Sequence, residues 1–136
     1  MRFWIKSWSS ERIVSNTLKM KMTRTGILFS CLPSLLMLVL FYSLAVHMYQ
    51  SLGGWPSSIG ETGFPQLLVA HTHFTQDWFG VSLLSALLGA PAAIFICLII
   101  RRYHLIPYVV LYAVLFFLGW GLMQLAPKPF LYWWWD

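Results

Sequence analysis

The stretch GILFSCLPSLLMLVLFYSLAVHM, residues 26–48, decides the fold. It contains no Asp, Glu, Lys or Arg. A helix needs about 20 predominantly apolar residues to cross a hydrocarbon core about 30 Å thick. Residues 79–100 and 105–125 form two further runs free of those four residue types. The apolarity is continuous and lacks the period-two alternation of a membrane β-barrel strand. In lipid only helices and closed barrels satisfy the backbone. The sequence therefore predicts an all-α integral membrane protein with three transmembrane helices, over about 26–48, 79–100 and 105–125.

Composition agrees. Of the 136 residues, 59% are hydrophobic and 10% charged, against about 45–50% and about 25% in a soluble domain. That excludes a soluble catalytic domain and a disordered tail. The two cysteines, Cys31 and Cys97, lie inside apolar runs. No zinc-type, redox-type or haem-attachment spacing is present, and these thiols read as small hydrophobes.

The net charge of +5 has an uneven address. Arg2, Lys6, Arg12, Lys19, Lys21 and Arg24 fall in the arm 1–25, and Arg101 and Arg102 in the link between the second and third runs. The loop 49–78 has no Lys or Arg, and the tail 126–136 has only Lys128. The positive-inside rule then places the N-terminus in the cytoplasm and the C-terminus outside. Cell (inner) membrane, multi-pass, is the expected location. The arm suits anionic headgroups better than nucleic acid, for which no motif exists. Ser43-Leu44-Ala45 loosely resembles a cleavage site, but the apolar run exceeds the roughly 7–15 residues of a signal-peptide core. Met20 and Met22 are alternative starts to Met1.

The external loop opens with Gly53-Gly54-Trp55-Pro56, a breaker signal. Thr62 or Gly63 followed by Pro65 reads as a helix start. That helix either runs on into the second span or breaks near Asp77–Gly80. Pro33 and Pro91 lie inside spans, where each removes a backbone hydrogen bond. Pro107 sits harmlessly in a first turn, and Pro127 and Pro129 end the third helix. Tyr132, Trp133, Trp134 and Trp135 read as an external interfacial anchor, because indole and phenol rings favour the lipid–water boundary.

Small residues recur at helical spacing: Gly26, Ser30 and Ser34 in the first span, and Ser85, Gly89 and Ala93 in the second. Ser82, Ala86 and Ala90 form a neighbouring stripe. Small side chains let membrane helices approach closely. The first two sets are expected to face each other, with Cys31 and Cys97 at similar depth, or to form a homo-oligomer seam.

His47, His71 and His73 gather on the external side with Glu61 and Asp77. Imidazole suits metals and haem iron. His71 and His73, two apart, point about 200° apart on a helix and cannot share one metal. The bland reading is interfacial histidines at a membrane entry. The sharper one is a haem or quinone site using His47 with His71 or His73. The spans lack the buried charges that mark transport pathways, and hydrolase and nucleotide motifs are absent. The expectation is a non-enzymatic accessory or scaffold subunit of a larger membrane complex, without a cofactor. The alternatives are a haem- or quinone-associated redox subunit and a pore-forming oligomer.

Overall fold

A computed structural model describes residues 22–56 and 60–136. The arm 1–25 therefore lies almost wholly outside the described residues, as does any contact it makes with lipid headgroups. The described chain is helical: α1 (Arg24–Leu52), α2 (Gln66–Leu84), α3 (Ala90–Ile99), α4 (Ile106–Met123) and α5 (Lys128–Trp135). Three helical stretches are long and apolar enough to cross a membrane: Arg24–Leu52, Gln66–Ile99 and Tyr103–Met123.

Local chemistry explains the boundaries. Thr23 caps α1, its hydroxyl accepting from the Gly26 amide at 3.2 Å. Such a cap satisfies an orphan donor of the first turn. Gly53 ends the helix in the left-handed region, at φ 67°, where glycine carries no Cβ penalty. With 29 residues α1 is about 43 Å long, longer than the 26–48 expected. The second helix does run back to Pro65, whose carbonyl accepts from Leu68 and Val69. No break occurs at Asp77–Gly80; the irregularity comes later, as a π-helical turn over Ser85–Gly89. Pro91 follows two residues after its end. A proline inside a helix lacks the N–H and presses on the carbonyl four residues back, here Leu87, and a widened turn relieves that clash.

The α3–α4 link contains the one described non-glycine residue with positive φ, Arg101 at 56°. The Arg102 amide donates to the Cys97 carbonyl and the Arg101 amide to Leu98, at 2.9 and 3.3 Å. This is a Schellman ending, whose left-handed position is usually glycine. Arginine there costs about 1–2 kcal/mol in backbone energy.

α1 is the central helix, packed along α4 on one side and α2 on another. Tyr108 donates no room at Gly26: a methyl group added to that glycine would run into the Tyr108 ring. Further along, Gly119 of α4 lies under Met37 and Leu38. Tyr42 Oη donates to the Leu122 carbonyl at 2.8 Å, near the end of α4. Beyond Tyr42, α1 continues ten residues to Leu52, about 15 Å at helical rise. α5 fills the space so created. Its Phe130, Trp133 and Trp134 are buried, while Tyr132 and Trp135 are exposed. Phe41 meets Phe130 and Trp134 at ring separations of 5.0 and 5.2 Å.

Candidate functional site

The sequence singles out two places, the histidine group and the small-residue stripes. His47 extends from the last third of α1 and His71 from the second turn of α2. Both are half-buried. Their Nδ1 atoms are 3.0 Å apart, and the ring centroids are 5.3 Å apart. An imidazole nitrogen lies roughly 1.15 Å from its ring centre. Adding that length twice to 3.0 Å reproduces the centroid separation. The two nitrogens therefore point at each other in line, which is the geometry of an N–H···N hydrogen bond. Two adjacent ligands of a tetrahedral metal would instead converge at an angle. A haem iron between two axial nitrogens needs them about 4 Å apart, more than the distance here.

The network continues on one side. His71 Nε2 lies 3.2 Å from Ser43 Oγ, and Ser43 Oγ donates to the Leu40 carbonyl at 2.9 Å. Ser43 has spent its only proton there, so His71 Nε2 must donate to it. In neutral His71 the Nδ1 is then the acceptor, and His47 Nδ1–H the donor. The run is Leu40 carbonyl, Ser43, His71, His47. It leaves the His47 Nε2 lone pair without a protein partner among the described residues.

His73 is not part of this group. It turns to the other flank of α2, where its Nε2 lies 3.3 Å from the Glu61 carboxylate. The expected divergence of His71 and His73 is what the helix produces. Among the described residues no group of three or more His, Cys, Asp or Glu side chains is placed to hold a metal ion. Ser43 was not linked to the histidines from the sequence, although its spacing of one helical turn from His47 carries the signal.

The small-residue stripes behave differently from expectation. Gly26 packs on Tyr108 of α4, not on the second span. Ser30 Oγ donates to its own helix, to the Gly26 carbonyl at 2.9 Å. Ser34 is buried and its hydroxyl has no hydrogen-bond partner among the described residues. In the second span Ser85 and Gly89 are exposed, and the neighbouring set Ser82, Ala86 and Ala90 is buried instead. Both sets keep the i, i+4, i+8 spacing, and the structure buries the second of the two neighbouring stripes.

The stripes do not interlock. Ser30, Ser85, Gly89 and Ala93 line an open cleft of about 470 Å³. Tyr108 and Tyr112 of α4 and Trp78 of α2 also line it. Their polar ends are already engaged: Tyr112 Oη donates to the Ser82 carbonyl at 3.1 Å, Trp78 Nε1 to the Pro33 carbonyl at 3.4 Å, and Tyr108 Oη accepts from the Thr23 amide at 2.7 Å. The cleft that remains is apolar with small walls. Trp78 also sets the register of α1 against α2. Of the two cysteines, Cys97 is buried and Cys31 half-buried.

The aromatic tail divides. Trp133 Nε1 donates to the Gly60 carbonyl at 3.1 Å, tying α5 to the loop. Trp134 packs between Phe41 and Phe79. Tyr132 and Trp135 are the two exposed members of the group. Compared with known proteins, the chain matches no family model, no curated protein and no solved structure.

Proposed function

We propose that the chain is a multi-pass protein of the cell (inner) membrane, with the N-terminus in the cytoplasm and the C-terminus outside. Its role in this reading is that of a non-enzymatic accessory or scaffold subunit, packed against a larger membrane complex. The supporting observation is the cleft walled by Ser30, Ser85 and Gly89. In lipid a merely apolar face gives no preference for protein over acyl chains. Small side chains do, because a second helix can approach their backbone and gain dispersion contacts that lipid does not match. This chain folds with that surface open, and its three apolar runs hold none of the Asp, Glu, Lys or Arg side chains that mark many transport pathways.

The test is photo-crosslinking at native expression level. A photoreactive residue replaces Ser85 in the cleft, and Phe95, exposed on α3, serves as control. A discrete adduct with a different integral membrane protein from position 85, and none from 95, is expected. Adducts with lipid alone from both positions would refute the reading. An adduct between two copies of this chain would replace it with a homo-oligomer.

A further inference from the structure

We propose that His47 and His71 form a two-step proton latch between α1 and α2: a first proton leaves the ring-to-ring contact intact, and a second breaks it. The in-line Nδ1···Nδ1 contact of 3.0 Å and the Ser43 hydrogen bond carry the argument. Both Nδ1 atoms and His71 Nε2 are engaged, so the first added proton goes to the free His47 Nε2. His47 becomes an imidazolium whose Nδ1–H still points at the His71 Nδ1 lone pair. That hydrogen bond is now charge-assisted, hence stronger than the neutral one. The second proton has one lone pair left, the acceptor itself. Once it is filled, two N–H groups and two positive charges face each other, and the contact cannot persist.

The surroundings leave this choice to the pair. From α2 and the loop, His73 and Glu61 engage each other on the opposite flank. Asp77 on α2, and Lys128 and Asp136 at the two ends of α5, are the remaining charged groups of the described residues on this half of the chain. None of them is hydrogen-bonded or ion-paired to either ring among the described contacts. Leu44, Met48 and Leu68 are fully buried nearby, so release of the latch loosens the facing turns at Ser43–His47 and His71 without parting the helices entirely. The free end of α1 and the start of α2 then respond to acid on their own side of the bundle. Strongly interacting sites of this kind titrate as a pair, in two macroscopic steps.

The whole chain in lipid nanodiscs, labelled with ¹⁵N-histidine, tests the latch directly. There are only four histidines, and His73→Gln and His104→Gln remove the other two for assignment. At neutral pH a ¹⁵N–¹⁵N coupling across the Nδ1–H···Nδ1 bond is expected. On titration from about pH 8 to about pH 4, across the ordinary histidine range, the coupling survives the first step at His47 Nε2. It is lost at the second. In His47→Gln the coupling is lost, and His71 titrates in one step. Absence of the coupling in the wild-type chain at every pH would overturn the proposal. So would its loss in the first step, or its survival after both rings are doubly protonated.

Discussion

Gly26 shows what a single hydrogen atom in place of a side chain does in this molecule. Tyr108 lies against it, and the phenol oxygen reaches the Thr23 amide just before α1. The start of α1 is thus pinned to the start of α4 by one close approach and one hydrogen bond. Gly26→Leu should force the ring aside. Overpacking costs about 1–3 kcal/mol, and the lost hydrogen bond about 1 kcal/mol. On a Cys31→Ser background, thermal release of the buried Cys97 thiol to a maleimide dye in detergent measures the effect, as a lowered midpoint. Tyr108→Ala added to Gly26→Leu should recover part of the loss. An unchanged midpoint in Gly26→Leu alone would mean that α1 and α4 do not meet there. The sequence marked Gly26 as a packing residue but paired it with the wrong helix. Spacing tells which residues share a face; it does not tell which neighbour covers that face. Ser43 stood out only within the cleavage-like Ser43-Leu44-Ala45, because its bond to His71 depends on a histidine that another helix places opposite it.

At the scale of elements, α5 is the clearest departure from a reading by composition. Eight residues rich in tryptophan look like an anchor at the lipid boundary, and Tyr132 and Trp135 remain available for that. The helix nevertheless turns Phe130, Trp133 and Trp134 inward, because α4 ends a few turns short of α1 and leaves a space to fill. Aromatic side chains suit such a space: they offer large contact area, edge-to-face contacts add about 0.5–1.5 kcal/mol each, and Trp133 finds a carbonyl for its N–H. Trp134 makes edge-to-face contacts with Phe41 and Phe79. Trp134→Ala should therefore cost on the order of 3–5 kcal/mol, and Trp135→Ala much less. The two variants can be compared by the same thiol-release midpoint, and by limited proteolysis at the α4–α5 link, which should open only in Trp134→Ala. Equal effects from the two would return both residues to the status of lipid anchors. The π turn is the other element that pattern reading missed. Pro91 announced an irregularity, but periodicity cannot say whether a helix answers a proline by bending or by widening a turn, and here a turn widens at Ser85–Gly89.

For the whole molecule, the three long apolar helices were legible because length and the absence of charge are one-dimensional properties. Their ends were less so: α1 runs past Met48 and the second helix starts well before Phe79, since polar residues at helix margins interrupt apolarity without interrupting the helix. The histidine pair depends on the register of α1 against α2, which no single segment encodes. The proposed topology has an odd number of crossings, which would put the basic arm and the aromatic tail on opposite faces and make one end of α1 the external one. Cysteine accessibility in intact cells measures it most directly. On a background of Cys31→Ser and Cys97→Ala, Thr62→Cys and Asp136→Cys should react with an impermeant maleimide from outside, and Ser9→Cys and Arg102→Cys only after permeabilisation. Labelling of Ser9→Cys and Asp136→Cys from the same side would contradict the proposed topology.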